Sequence, residues 1–524
     1  MTEPRLSQLG ALLHRRGLLA SEPLPAHHAE ADPAIGAVRY DSRLIAPGDL
    51  FVARRGQHTD GHDHVPGAVD AGAAAVIVER PVPRITVPEL VACDAKVALG
   101  VAASWRAGDP SHDLGVLGIT GTDGKTTTAY LVRALLERAG RRTGLLGTTD
   151  VIVAGRSLGN EARTSTPEAP ELQGYLAAMH AAGDRWAVVE STSHGLAQQR
   201  VRGTAYDVAV LTNITSEHLE FHRTLDAYKA AKRSLFSRLA VDEENPEKGF
   251  GKHAVVNADD PEGESCAAVA TEAGAAVIRY GLGHALAPHD RTELDLSAVG
   301  LAETPSGMRV EMRTSDWQGT VPLRLAGRFN VANALAAMGV ALALGLDPEA
   351  AARALADLPA VPGRMQRVDE GQGFSVVIDY AHTAESLAKV LDELAPTDPD
   401  TGLIAVFGSA GDRDPTKREP MGRVAGERAR LVIVTDEDPR SEDREAILGA
   451  IAQGAEAAGK QRGDDLLVIP DRAEAIAEAM RRARPGDAVL LAGKGHENTI
   501  ETAAGELPWD EEATAREALR AIAR

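Results

Sequence analysis

The run Gly118-Ile-Thr-Gly121-Thr122-Asp123-Gly124-Lys125-Thr126-Thr127 follows the apolar pair Val116-Leu117 and leads into a stretch with Val132, Leu135 and Leu136 on one helical face. A strand delivers this loop and a helix receives it. Strand-helix alternation then continues through residues 187–190 and 208–211, the pattern of a mainly parallel, doubly wound sheet. Glycines let backbone N–H groups point inward at phosphate oxygens, and the helix N-terminus adds partial positive charge. Lys125 reaches terminal phosphates and Thr126 is placed to hold Mg²⁺. Gly121, Thr122, Asp123, Gly124, Lys125, Thr126 and Thr127 therefore read as a nucleoside triphosphate loop. A glycine turn with a chance Lys-Thr would not need the flanking strand and helix. The common P-loop has a further glycine five residues before Gly124, where this chain has Ile119. The loop is a variant with shorter glycine spacing.

Such a loop serves switches, motors, kinases and ligases alike, so the rest of the chain must discriminate. At 524 residues and roughly 100 to 200 residues per domain, about three domains are expected. Residues 1–108 read as a small α/β unit of short strands and turns with one helix. Residues 109–358 carry the phosphate loop on a mainly parallel sheet. After Pro359, Pro362 and Gly363, residues 359–524 read as a Rossmann-like α/β domain. Its expected strands are 376–379, 403–408, 431–435, 466–469 and 488–492, with helices over 445–459 and 472–483. Residues 241–252 and 282–320 read as loops with a few antiparallel strands. Gly408-Ser-Ala-Gly411 lacks the dinucleotide fingerprint spacing, and no Asn-Lys-x-Asp guanine signature occurs, so redox chemistry and a GTPase switch are poorly supported. A formal net charge of −20 argues against general affinity for nucleic acid or an anionic membrane. No basic leader precedes an apolar core and no run approaches a membrane span, so a cytoplasmic location is expected. Cys93 and Cys266 are far apart and outside any Cys-x-x-Cys pair, which reads as buried structural thiols.

After the expected strand 186–189 comes Glu190-Ser-Thr-Ser-His194-Gly-Leu196, and the next strand ends in Thr212-Asn213 and runs on to His222. A carboxylate at a strand's C-terminal end beside a phosphate loop is well placed as a Mg²⁺ ligand. Taken singly, a His or Glu in such a run is a surface or capping residue. The order and spacing of the set change that reading.

The set resembles the Mur ligase family. The matching pieces are Gly121-Thr-Asp-Gly-Lys-Thr-Thr127, Glu190 with its Ser-His run, residues 213–222, Tyr228-x-x-Ala-Lys232, Asn257-Ala-Asp-Asp260, Gly327-Arg-Phe-Asn-x-x-Asn333, Pro362-Gly-Arg-Met365, Asp379-Tyr-Ala-His382 and Gly493-Lys-Gly-His-Glu497. Coverage runs from about Asp41 to the C-terminus. The resemblance implies three domains: an N-terminal one for a UDP-sugar, a central ATPase and a C-terminal Rossmann-like one. Within the family, Asp41-Ser-Arg43, Pro47-Gly-Asp-Leu-Phe-Val52, Gly411-Asp-Arg-Asp414 and Asp438-Pro-Arg440 look most like the member that adds a diamino acid to UDP-N-acetylmuramoyl-L-alanyl-D-glutamate.

By that resemblance Ser42, Gln57 and His58 approach the uridine, and Ser165, Thr166, Thr192, Gln198 and Arg200 hold the sugar-peptide and diphosphate. Asn333, Arg364, Asp379 and His382 contact ATP, and Arg413, Asp438, Arg440, Gly493 and Glu497 line the amino-acid pocket. Lys125, Lys232, His218 and Glu190 form the catalytic set. Two Mg²⁺ ions are implied, with Thr126, Glu190, His218 and a carbamylated Lys232 as ligands. Periodicity alone would make Lys232 an exposed lysine of an amphipathic helix over 225–239. The implied partners are the UDP-dipeptide and a diamino acid, with no nucleic acid or membrane, and a monomer is expected. A D-alanyl-D-alanine-adding ligase, a folylpolyglutamate synthase and a catalytically idle nucleotide-binding protein are the rivals. Asp41-Ser-Arg43 argues against the folate enzyme.

The chain has Asp123 where the family commonly has Asn, Glu217 and Glu220 for Asp, Ser165 for Thr, Ala384 for Pro and Asp438 for Asn. Asp438-Pro-Arg440 resembles the Asn-Pro-Arg of ligases that take meso-diaminopimelate, in which Arg clamps the distal carboxylate. Charge counting over Arg440, Glu497 and Asp438 gives −1 and suggests an Asp438–Arg440 pair. That count favours L-ornithine or L-lysine, with meso-diaminopimelate the close alternative.

Overall fold

The computed structural model describes residues 3–20, 32–56, 59–160, 164–215, 217, 219–282, 294–304, 307–358, 361–396 and 398–522. The chain forms two compact units. The first comprises Met1–Gly300, Glu311–Val321 and Ala332–Leu355, and the second Leu301–Val310, Pro322–Val331 and Ala356–Arg524. No helix among the described residues is long and apolar enough to cross a membrane.

The first unit opens with a four-stranded parallel sheet, Val38–Arg39, Leu50–Val52, Ala75–Val78 and Glu89–Val91. Among the described residues three α-helices accompany it, Leu6–Arg15, Val65–Asp70 and Ala95–Ala107, where one was expected. Leu6, Leu9, Leu12 and Leu13 recur at helical spacing and bury one face of Leu6–Arg15 in the same core as Leu50, Val52 and Leu99. Cys93, expected to be buried, is exposed, whereas Cys266 is buried. Cys93 lies just before helix Ala95–Ala107, where its backbone N–H donates to Leu18.

In the central sheet Gly115–Thr120 lies between Trp186–Glu190 and Val208–Leu211, parallel to both, with Leu117 opposite Val188 on one side and Val208 on the other. Thr143–Leu146 follows beyond Trp186–Glu190, and His253–Asn257 then Ala276–Gly281 beyond Val208–Leu211, again parallel. The chain thus leaves Gly115–Thr120 first to one side and later to the other. Such a reversal opens a crevice at the strands' C-terminal ends, where α/β sheets bind ligands. All residues of Gly115–Thr120 and Trp186–Glu190 are buried, as continuous apolar strands covered on both faces require. In the order of this sheet Leu296–Thr304, Gly307–Arg313 and Gln318–Leu323 come after Ala276–Gly281. The polar stretch 241–252 is a loop, pinned by Lys248 and Lys252, which both pair with the buried Asp207.

The second unit holds a six-stranded sheet in the order Gln366–Val368, Ser375–Asp379, Ala488–Ala492, Leu403–Phe407, Leu431–Val434, Leu466–Val468. Gln366–Val368 is antiparallel to its neighbour and the others are parallel. The turns after Asp379, Phe407, Val434 and Ala492 therefore share one edge. A buried ion pair underlies that edge. Arg472 meets Glu511 with both arms, at 2.9 and 2.6 Å, and donates to the carbonyls of Asp436 and Ala492 at 3.1 and 2.8 Å. Glu511 is the first residue of the helix Glu511–Ile522.

Candidate active site

The phosphate loop joins strand Gly115–Thr120 to helix Lys125–Arg138, whose apolar face is Leu131, Val132, Leu135 and Leu136. Gly124 takes a left-handed conformation at φ 82°, and a Cβ there would stand 2.2 Å from Asn333 Oδ1, so only glycine fits. Thr122 N–H donates to the Asn213 carbonyl at 2.7 Å, and Asp123 N–H to Asn213 Oδ1 at 3.0 Å. Asn213 thereby fixes the loop from the end of the neighbouring strand. Lys125 Nζ lies over the loop, 2.9 Å from the Gly121 carbonyl and 2.6 Å from that of Thr122. Thr128 Oγ1 donates to Asn333 Oδ1 at 3.3 Å.

Glu190 ends its strand fully buried. Its Oε2 accepts from Thr126 Oγ1 at 3.1 Å and Thr148 Oγ1 at 2.8 Å, and its Oε1 from Thr148 N–H at 3.0 Å. Thr148 Oγ1 also meets Ser165 Oγ at 2.6 Å. A Cβ on Gly147 would come 2.5 Å from Glu190 Oε1, so that glycine makes room for the carboxylate. These hard oxygen donors suit Mg²⁺. Among the described residues no three His, Cys, Asp or Glu side chains gather as a metal site.

Lys232, which helical periodicity alone would expose, is only 2% exposed. On helix Leu225–Ser237 it shares the buried face of Tyr228, Leu235 and Phe236. Its Nζ donates to the Gly121 carbonyl and lies 4.6 Å from the Tyr228 ring centroid. Tyr228 OH in turn meets Thr122 Oγ1 at 2.8 Å. Burial, with the nearby Lys125 charge, holds the Lys232 amine well below the ordinary lysine range.

On the other side of Glu190, Thr166 Oγ1 donates to the Glu190 carbonyl at 2.7 Å and lies 3.0 Å from Thr192 Oγ1. Thr192 caps helix Ser193–Ala197 through Gly195 N–H. Arg200 donates to the Thr166 carbonyl at 3.0 Å and to Gln198 Oε1 at 3.1 Å, and its Nε lies 3.1 Å from Glu168. Glu168 also takes Arg54 Nη1 at 2.6 Å. Ser42 begins the short 3₁₀ turn Ser42–Leu44, which Asp41 caps. Gln57, His58 and His218 lie outside the described residues.

In the second unit both Asp379 oxygens are taken by backbone, Met365 N–H and Ala381 N–H at 2.8 Å each. That fixes the Arg364 turn against the strand end. Arg364 stacks over Tyr380 at 4.8 Å, beside the rings of His382 and His496. Burial first, then the Arg364 and Lys494 charges, push His496 down to about 3, so it is a neutral ring near pH 7. Asp438 is not paired with Arg440, contrary to expectation. Its Oδ1 meets Lys494 Nζ at 2.8 Å, and Lys494 also meets Glu497 Oε2 at 2.5 Å. Arg440 Nε instead lies 2.9 Å from Glu501 Oε2. Gly493 N–H donates to the Asp379 carbonyl at 3.1 Å, and Arg413 is exposed on the following turn of the same edge.

Three family models match in chain order: the Mur ligase family catalytic domain over residues 34–99, the Mur ligase middle domain over 119–341, and the Mur ligase glutamate ligase domain over 363–495. The chain belongs to the Mur ligase family. It is 47% identical over 501 residues to the UDP-N-acetylmuramyl-tripeptide synthetase of Roseiflexus sp. (strain RS-1), covering 94% of this chain and 96% of that protein. It is 39% identical over 497 residues to the UDP-N-acetylmuramoyl-L-alanyl-D-glutamate--2,6-diaminopimelate ligase of Geobacillus kaustophilus (strain HTA426), covering 94% and 96%. A solved structure of a ligase of that second name superposes with a TM-score of 0.65 at 30% identity, covering 94% of this chain and 96% of that one.

In this Mur ligase the first unit brings together the loop residues, Glu190, Lys232, Ser165, Thr166, Thr192 and Asn333. Thr148, Gly147, Asn213 and Tyr228 support them and had been given no role. Thr148 and Asn213 each follow a strand of the central sheet, and that position is a signal that apolar strand patterns carry. Lys494 lies inside the quoted Gly493–Glu497 motif, but nothing in its spacing marks it as the partner of Asp438.

Proposed function

We propose that this Mur ligase joins a diamino acid to the free D-glutamyl carboxylate of UDP-N-acetylmuramoyl-L-alanyl-D-glutamate, using ATP, as a cytoplasmic step of peptidoglycan synthesis. The observation that carries the reading is the convergence of Lys125 and Lys232 on the one carbonyl of Gly121, beside the buried Glu190 carboxylate. The names of the relatives support the same substrates. We assign the UDP-sugar to residues 1–108, ATP to 109–358 and the amino acid to 359–524.

The D-glutamyl carboxylate oxygen attacks the γ-phosphorus and ADP leaves, giving an acyl phosphate. The amine of the diamino acid attacks the acyl carbon, phosphate leaves with the C–O electron pair, and the nitrogen loses a proton. Lys125 neutralises charge spread over the transferred phosphoryl oxygens. Thr126 and Glu190 would hold a Mg²⁺ ion, and Lys232 as a carbamate, with His218, a second one. Bound Mg²⁺ lets two anions approach one another. The lowered Lys232 basicity supports carbamate formation, because the neutral amine is the form that adds CO₂. Arg200, Gln198, Thr166, Thr192 and Ser165 would orient the UDP-dipeptide, with Ser42, Gln57 and His58 at its uridine. Asn333, Arg364, Asp379 and His382 would contact ATP, and Arg413, Arg440, Gly493 and Glu497 the amino acid.

The decisive assay is ADP release with the UDP-dipeptide and a panel of amino acids. Sustained release, beyond one ADP per enzyme, is expected only when both co-substrates are present. Sustained ADP release independent of the amino acid, or none with any member of the panel, would overturn the reading. Gly147→Ala is expected to displace the Glu190 carboxylate and to lower kcat/KM for ATP about 10–100-fold, as loss of support around a metal ligand does. Unchanged ATP kinetics in a folded Gly147→Ala variant would remove Glu190 from the ATP site.

A further inference from the structure

The charges around Arg440 single out a residue other than Asp438. Asp438 is buried, matched by Lys494, and accepts the Glu501 backbone N–H at 2.8 Å. Its charge is satisfied inside the protein, and its carboxylate positions Glu501. Arg440 takes φ 53° and donates its backbone N–H to the Glu501 carbonyl at 3.0 Å. A non-glycine residue keeps such a backbone only where its surroundings over-determine it. With Arg440 Nε 2.9 Å from Glu501 Oε2, the two residues are tied by both main chain and side chain.

Arg440 and Glu501 wall a cavity of about 330 Å³ whose other charged lining residues are Asp412 and Glu506. One guanidinium there faces three carboxylates, a net charge of −2. Asp412 is engaged by Ser441 N–H and Oγ at 3.1 and 2.9 Å. The cavity belongs to the same strand-end edge as Asp438 and Gly493.

We propose that Glu501 sets the choice of incoming amino acid, holding Arg440 to itself and offering its carboxylate to a lone distal ammonium. The proposal deepens the ligase reading and rests on it. A distal end carrying both carboxylate and ammonium must take Arg440 from Glu501 and set its carboxylate among the three of the lining, leaving the net charge at −2. A distal end with an ammonium alone leaves the pair intact and lowers the net charge. Breaking a partly desolvated pair to admit a like charge is unfavourable, and selectivity arises from that repulsion as much as from attraction. L-Ornithine and L-lysine have such an end, and meso-diaminopimelate does not. The proposal thus favours a basic amino acid on Glu501, in place of the Asp438–Arg440 pair that the structure does not contain.

The test compares kcat/KM for the three amino acids in wild type, Glu501→Gln and Glu501→Asp, at saturating ATP and UDP-dipeptide. Wild type is expected to favour L-ornithine or L-lysine over meso-diaminopimelate by at least about tenfold, ~1.4 kcal/mol. Glu501→Gln should erode that ratio by a similar factor, and Glu501→Asp should keep the wild-type order. Ratios measured on one preparation do not depend on its folded fraction, so a destabilised variant still reports. A wild type selective for meso-diaminopimelate overturns the proposal, as does a Glu501→Gln variant with unchanged ratios or with equal loss towards all three. Failure of the ligase reading would look different, as absence of amino-acid-dependent ADP release from the wild type.

Discussion

Lys125→Ala is expected to lower kcat by about 10³–10⁵-fold, the range for removing a charge that stabilises a transferring phosphoryl group. In the structure its ammonium is already over the loop, held by the carbonyls of Gly121 and Thr122, so little reorganisation is needed for it to meet phosphate oxygens. Binding of the UDP-dipeptide should stay close to wild type, because Arg200, Thr166 and Thr192 contact one another and Glu190 rather than Lys125. Steady-state ADP release gives the first quantity and titration calorimetry with the UDP-dipeptide the second. A near-normal kcat would refute the assignment of Gly121 to Thr127 as the ATP loop.

Lys232→Ala is expected to be almost as damaging, with kcat reduced on the order of 10³-fold, and to be partly restored by formate or another small carboxylate. The substitution removes the four outer side-chain atoms between the Tyr228 ring and the Gly121 carbonyl, and formate has only three heavy atoms. Lys232→Arg keeps a positive charge but cannot form a carbamate. Full activity in Lys232→Arg, or failure of every small carboxylate to rescue Lys232→Ala, would count against a carbamate at this position.

The phosphate loop was legible because its glycines, lysine and threonines are contiguous and the strand before it is an uninterrupted apolar run. Strands at Leu403–Phe407, Leu431–Val434 and Ala488–Ala492 likewise fall within a residue of their expected ends. Helix Leu6–Arg15 carried a leucine repeat that the expectation of a single N-terminal helix left unused. Lys232 shows what periodicity cannot supply. Lys232 lies on the buried face of its helix with Tyr228, Leu235 and Phe236, and a charge there reads as solvated until the Gly121 carbonyl is seen to take its Nζ. The pocket charges fail for a related reason. Lys494 meets Asp438 across 56 positions of sequence, and a count over Arg440, Glu497 and Asp438 left out both Lys494, in the same motif as Glu497, and Glu501. Which carboxylate faces which cation is a property of the shared strand edge.

The Arg472–Glu511 pair also governs how helix Glu511–Ile522 opens. A helix at the margin of a unit ordinarily frays at small cost. Here, lifting helix Glu511–Ile522 would strand a guanidinium whose side chain has no solvent exposure, a cost of roughly 3–5 kcal/mol for a buried pair broken on one side. Helix Glu511–Ile522 therefore opens alone only at that cost, and the guanidinium it would leave is shared with the carbonyls of Asp436 and Ala492. In hydrogen-exchange terms, its amides should be protected well beyond those of a freely fraying helix.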